Sequence, residues 1–214
     1  SREPDGQLTT DYDSVGQYST LLYANETARI IRAHDKREGL YVYLAFQAVH
    51  GPFQVPTQYS ARYDAVHPDR HVYEGMVTAV DAAVAKVVKA SRAAHLWDGT
   101  LVVFHSDNGG SVRGNHPFRG GKFGLWEGGV RVLAFLGGPI INGQAGDWGR
   151  NWRGLGHVSD LLPTLLSAAG VTPPAADDGS TGPTRMDAAP PDPTRMDAGV
   201  KGALTRLAQR ASSG

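Results

Sequence analysis

The chain has 214 residues, with 21 Lys and Arg against 21 Asp and Glu, so its formal net charge is zero. That balance gives no electrostatic attraction to nucleic acid or to an anionic membrane surface. The chain contains no cysteine, which excludes disulfides, thiolate metal ligands and a cysteine-derived nucleophile.

Hydrophobic patterning gives the predicted elements. Apolar residues at spacings of three and four predict helices, and short continuous apolar runs predict strands. In chain order the predicted elements are a helix at 18–34, a strand at 40–46, a helix at 73–90, strands at 100–104 and 130–136, and a helix at 157–169. This alternation predicts an α/β fold with a mainly parallel sheet flanked by helices. The first strand is expected to be buried on both faces.

The composition changes after residue 170. Residues 171–199 are rich in Pro, Asp and Thr and contain a near-repeat at 183–189 and 193–199. They lack the apolar area that would offset ordering, which predicts a disordered linker. Residues 1–170 are therefore interpreted as the folded domain, and residues 200–214 as a short tail that could be helical.

The start of the sequence and its longest apolar runs can be compared with targeting and membrane segments. The first 13 residues are polar and lack the apolar core of a signal peptide. No apolar run approaches the roughly 18 residues needed for a membrane span. Because the sequence begins with Ser1 and not Met, we interpret it as a piece of a longer protein or a processed product.

Polar residues follow the predicted strands. His50 comes after the first strand, Asp107 and Asn108 after the second, and Lys122 lies in the glycine-rich loop at 109–129. Ligands of open α/β sheets bind beyond the carboxyl ends of the strands, so we expect the four side chains to converge. Three ordinary alternatives stay open: an Asp-Asn-Gly turn, a structural histidine and a solvated lysine.

Six stretches together resemble the sulfatase family, in its arylsulfatase B branch of N-acetylgalactosamine-4-sulfatase type. They occur in the family's order and the resemblance covers residues 17–171. The stretches are 40–56, 73–77 with Asp81, 106–110, 119–122, 125–131 and 157–164. The resemblance implies an alkaline-phosphatase-like fold, hydrolysis of sulfate esters, often on sulfated glycans, and a lysosomal or secreted location.

The resemblance also implies roles at matching positions. Asp107 and Asn108 correspond to two ligands of a cation, usually Ca²⁺, with Mg²⁺ as the alternative. His50 corresponds to the histidine near the leaving-group oxygen, and Lys122 to the lysine that holds the sulfate. The loop at 108–122 is a few residues shorter than in arylsulfatase B. This difference affects the geometry of the loop on the substrate side of the site more than the two metal ligands.

One part of the family's site is missing. The nucleophile is a formylglycine made from Cys-x-Pro-x-Arg or Ser-x-Pro-x-Arg, and neither motif occurs in this chain. The near match Thr-Gly-Pro-Thr-Arg at 181–185 is interpreted as coincidence. The family's other two metal acids are not transferred to any aspartate here.

Three hypotheses are consistent with the absence of the nucleophile motif from this chain. The chain is part of a sulfatase and inactive alone, or a non-catalytic module that binds an oxyanion or a cation. The third is a related phosphoesterase, which would need a Thr or Ser nucleophile further upstream.

The sequence also contains an N-glycosylation sequon, Asn25-Glu26-Thr27. A chain on the secretory route could therefore carry a glycan at Asn25.

Overall fold

A computed structural model describes residues 12–65, 68, 70–111, 115–142, 151 and 154–171. All of the predicted linker except its first residue, and the whole tail at 200–214, lie outside the described residues. The described residues up to Leu96 form one compact unit, and those from Trp97 onward form a second. Among the described helices, none is both long and apolar enough to cross a bilayer.

The first unit is helical. It contains α1 (Ser19–Ala33), α2 (Thr57–Ser60), a 3₁₀ turn (Ala61–Tyr63) and α3 (His71–Ala93). The two long helices confirm the helices predicted at 18–34 and 73–90.

Small residues let α1 and α3 pack closely. Ala28 and Ile31 of α1 meet Ala90 of α3 in the buried core, and Leu40 packs against that cluster. At the other end of α3, a Cβ on Gly75 would lie 2.9 Å from the Ser60 Cα, so glycine is what lets α2 approach.

We predict that Ile31→Ala lowers the free energy of unfolding by about 2–5 kcal/mol, because a fully packed aliphatic side chain leaves a cavity. Ile31 is 5% exposed. The neighbouring Ile30 is 40% exposed, so Ile30→Ala is a matched control with a much smaller expected loss. Urea denaturation of both variants measures the difference, and equal losses would contradict the assignment of this core.

The strand predicted at 40–46 is wrong. These residues form no strand in the structure, and Tyr41 and Tyr43 are 45% and 73% exposed. The apolar run indicates a tendency to be buried. A strand also needs a neighbouring strand to take up its backbone N–H and C=O groups, and no described residue supplies one to this segment.

The second unit holds a two-stranded sheet. β1 (Val102–His105) pairs antiparallel with β2 (Ala134–Gly137), so that Phe104 lies opposite Phe135. Their rings stack with centroids 5.1 Å apart. The strands predicted at 100–104 and 130–136 are thus confirmed in shorter form.

The parallel sheet is not confirmed. The sheet found within the described residues is this antiparallel pair. The start of the predicted third strand is taken up by a helical turn, α4 (Glu127–Val130). A second short helix, α5 (Pro139–Asn142), follows β2.

The last predicted helix is confirmed as a 3₁₀ turn (Val158–Asp160) that continues into α6 (Leu161–Ala168). A reciprocal cap fixes its start, since the His157 N–H donates to the Asp160 carboxylate at 2.7 Å and the Ser159 N–H donates to the His157 ring at 3.3 Å. Pro163 lies in the first turn of α6, where its missing N–H costs no hydrogen bond.

Candidate functional site

β1 delivers the acidic motif to the surface. Beyond His105, the Ser106 N–H still donates to the Leu133 carbonyl at 3.1 Å, which extends the pairing by one residue. The chain then turns, and Asp107 is exposed. One carboxylate oxygen of Asp107, Oδ1, accepts the Asn108 N–H at 2.8 Å. The second oxygen, Oδ2, is left for a ligand.

The Asn108 side chain is held by its neighbour. Its Nδ2 donates to the Gly109 carbonyl at 2.8 Å, which leaves Oδ1 as the amide atom available to a cation. The backbone carbonyl of Asn108 accepts a hydrogen bond from the Ser106 hydroxyl at 3.1 Å. A carboxylate and an amide oxygen on consecutive residues are hard ligands of the kind that Ca²⁺ and Mg²⁺ take.

Glycines allow two backbone segments of the loop to come into close contact beside the Asp107–Asn108 motif. The Gly109 N–H donates to the Gly129 carbonyl at 2.9 Å. A Cβ on Gly109 would collide with the carbonyl oxygen of Gly128, and a Cβ on Gly128 with that of Gly120. Since backbone atoms are the obstacle in both cases, only glycine allows this approach.

The same turn positions Lys122. Its N–H donates to the Gly110 carbonyl at 2.8 Å, and its ammonium lies 5.5 Å from the Phe123 ring centroid. Asn115 clamps the turn, since its Oδ1 accepts the Gly110 N–H at 2.9 Å and its Nδ2 donates to the Gly110 and Ser111 carbonyls at 2.8 and 2.9 Å. The structure therefore brings the backbone of Lys122 beside the loop that carries Asp107 and Asn108.

Two arginines on aromatic rings complete the loop. The Arg119 guanidinium lies 3.6 Å from the Trp126 ring centroid, and that of Arg131 lies 4.7 Å from the Phe118 ring centroid. Arg131 also pairs with Glu127 at 3.3 Å. Arg119, Trp126, Glu127 and Arg131 lie in two of the stretches that carry the family resemblance. None of them was selected as a site residue, and neither was Asn115. Their partners are set by the turn, and no spacing rule signals them.

His50 lies in the first unit, whereas the other three predicted residues lie in the second. Its N–H donates to the Gln47 carbonyl at 2.9 Å, and its ring Nδ1 lies 2.8 Å from the Gly51 carbonyl oxygen. Because a carbonyl only accepts, Nδ1 carries the proton and Nε2 is left as the ring's acceptor. The convergence of His50 with the other residues stays a prediction.

The donor chemistry fits a hard cation, but few ligands are present. Asp107 and Asn108 offer two oxygens, whereas Ca²⁺ takes about six to eight. No group of three or more His, Asp or Glu side chains arranged to hold a metal occurs in the part of the chain that the structure describes. A cation here would take its other ligands from water, substrate or further protein groups.

Comparison with known sequences gives the family. Residues 2–171 match the Sulfatase family. The chain is 34% identical over 163 residues to arylsulfatase J of Mus musculus, which covers 74% of this chain and 26% of that protein. It is 28% identical over 195 residues to N-acetylgalactosamine-6-sulfatase of Homo sapiens, with 80% and 35% covered. The chain thus spans a quarter to about a third of these curated relatives.

Two solved structures are similar. Ps i-CgsB in complex with k-i-k-neocarrahexaose is 37% identical with a TM-score of 0.54, over 57% of this chain and 28% of that one. The putative sulfatase yidJ from Bacteroides fragilis is 20% identical with a TM-score of 0.52, over 58% and 32%, and shows the fold alone. With most of its length matched, this chain belongs to the sulfatase family, whose domain has the alkaline-phosphatase-like fold.

Proposed function

We propose that this chain supplies part of the active site of a sulfatase that hydrolyses sulfate esters. Family membership supports the reaction type. The observation that carries the proposal is the hydrogen bond from the Lys122 N–H to the Gly110 carbonyl at 2.8 Å. It ties a cationic side chain to the same turn as two hard oxygen ligands, which suits a sulfate held between a metal and an ammonium group.

Each proposed role is taken from the family resemblance, and the chemistry of each side chain is compatible with it. Asp107 and Asn108 would hold a cation, Ca²⁺ or alternatively Mg²⁺, which when bound supplies positive charge to the sulfate oxygens. The Lys122 ammonium would bind and orient a sulfate oxygen. At His50, where Nδ1 donates to Gly51, Nε2 is the free ring atom that would face the leaving oxygen. Only the imidazolium form, protonated at both nitrogens, would deliver a proton to that oxygen.

The proposed substrate class is a sulfated sugar. Two observations support it: relatives include an N-acetylgalactosamine-6-sulfatase, and a similar structure holds a carrageenan hexaose. The stretches at 40–56 and 125–131 favour the N-acetylgalactosamine-4-sulfatase type as the subgroup. For such substrates we propose a lysosomal or secreted location, and the exposed Asn25 would then be a glycosylation site.

A second candidate function is non-catalytic binding of an oxyanion or cation. One specific observation favours it, because the chain has no cysteine and no serine in the family's nucleophile motif. The loop around Lys122 would then bind an anion without cleaving it.

The test joins this chain to a sulfatase polypeptide that carries the Cys-x-Pro-x-Arg motif. We expect metal-dependent hydrolysis of an aryl sulfate, and a loss in kcat/KM of about 100- to 1,000-fold in Asp107→Ala or Lys122→Ala, comparable to removal of one group that stabilises transition-state charge. Lys36→Ala removes a charge from an exposed residue outside the loop and should have no effect.

A second readout does not depend on turnover. Ca²⁺ should raise the denaturation midpoint of the joined wild-type protein, because a ligand of the folded state stabilises it. The same addition should have little effect on the Asp107→Ala variant. Full activity in both Asp107→Ala and Lys122→Ala, with an unchanged response to Ca²⁺, would contradict the proposed site.

A further inference from the structure

A basic groove lies between α1 and α3 in the first unit. It has a volume of about 360 Å³ and is lined by Arg32, Lys86, Lys89, Ala90 and Ala93. That volume is within the range of pockets that take small ligands, about 300–1,000 Å³. None of the lining residues belongs to the candidate site described above.

The cations of this groove have no carboxylate partner within the described ranges. The Lys86 ammonium donates to the neutral Asn25 amide oxygen. Glu26 on α1 is occupied by Arg29, with oxygen and nitrogen 2.6 Å apart. The hydrogen bond from Arg29 holds the pKa of the Glu26 carboxyl below its ordinary value, so its charge is committed to that pair.

The positive charges around the groove are clustered as in an anion-binding surface, and not spread out as on an ordinary solvated helix face. Lys86 and Lys89 are one turn apart on α3, about 4.5 Å along the axis at 1.5 Å per residue, and Arg32 faces the same groove from α1. Like charges this close repel one another. Ala93 and the aliphatic stems of the lysines give the groove an apolar lining, whereas Ala90 is only 2% exposed.

We propose that this groove binds a sulfated oligosaccharide. Its sulfates would contact Arg32, Lys86 and Lys89 through charge-assisted hydrogen bonds. The C–H face of a sugar ring would lie on Ala93 and the lysine stems. The proposal rests on the proposed function for its ligand class, because the groove would be a second attachment point for a sulfated chain. A nucleic acid fits less well, since such interfaces are larger and much more positively charged.

The test titrates the purified 214-residue chain with a sulfated carrageenan hexasaccharide in a calorimeter. We expect Arg32→Gln and Lys89→Gln each to raise Kd about three- to tenfold, at roughly tenfold per 1.4 kcal/mol, and the double variant to raise it further. Lys36→Gln removes the same charge from an exposed residue outside the groove and should leave Kd unchanged. The desulfated hexasaccharide should not bind. Arg32, Lys36 and Lys89 are exposed, and circular dichroism checks that each variant is folded.

Lys122→Gln separates this proposal from the proposed function. Weaker binding in Arg32→Gln and Lys89→Gln supports the groove even if the activity test fails, whether or not Lys122→Gln also weakens binding through the candidate site. Binding that is lost in Lys122→Gln but kept in Lys89→Gln places the sugar at the candidate site and overturns the groove. Equal affinity for a DNA duplex, or equal losses in Lys36→Gln and Lys89→Gln, also overturns it, because the attraction would then be non-specific.

Discussion

Gly109→Ala is expected to destabilise the second unit by about 3 kcal/mol or more, at the severe end of overpacking. The added Cβ would collide with the Gly128 carbonyl oxygen. That atom belongs to the backbone, so no flexible side chain can move to relieve the overlap. The hydrogen bond between the Gly109 N–H and the Gly129 carbonyl would be lost with the displacement.

Gly99→Ala is the matched control. An added Cβ there meets nothing within 4 Å, so the expected change is within about 1 kcal/mol, the scale of an unstrained Gly→Ala substitution. Urea denaturation, followed by the fluorescence of the chain's four tryptophans, measures both variants. Similar stabilities for the two would mean that the backbone does not approach as closely as described.

The second large effect concerns turnover. The purified 214-residue chain is expected to release no phenol from an aryl sulfate above the buffer control, in the presence or absence of Ca²⁺. It contains neither form of the motif from which the family's formylglycine is made. Without that aldehyde as the nucleophile, no covalent sulfate intermediate can form. Lys122 and His50 could orient a sulfate ester, but attack would be left to water.

The joined protein described under Proposed function serves as the positive control for that assay. Turnover by the purified chain alone that requires a metal and disappears in Asp107→Ala would refute the prediction. It would mean that a nucleophile other than the family's formylglycine operates in this chain.

Helices α1, α3 and α6 were predictable because their signal is local. Their apolar residues repeat with the helical period, which predicts a helix whatever its partner. The period did not settle which residues are buried, since Val77 and Leu162 are 48% and 63% exposed. The small residues at the α1–α3 contact, such as Ala28 and Ala90, belong to the same periodic pattern.

Strand pairing was not predictable in the same way. Val102 and Gly137 are partners across a long connection, and nothing in either apolar run states its partner or its direction. Residues 40–46 show that an apolar run can fail to form a strand at all. The run has the composition of a strand, but strand formation depends on a neighbouring strand that composition does not reveal.

The candidate site was only partly predictable. Asp107, Asn108 and Lys122 could be selected by their resemblance to family motifs, and the structure links their backbones through one turn. The clamp by Asn115 depends on how a short turn folds, and the close approach at Gly109 depends on contact with Gly128 across the loop. No periodicity or composition rule encodes such contacts.

The turn that carries Asp107 and Lys122 is built largely from main-chain hydrogen bonds and close glycine contacts. Its shape therefore depends little on the outward side chains. Phe123 and Leu125 are 97% and 94% exposed, and substituting them would remove no contact that holds the turn. A substitution at Leu125 would therefore change what the loop can touch without removing a hydrogen bond of the backbone that carries the proposed ligands.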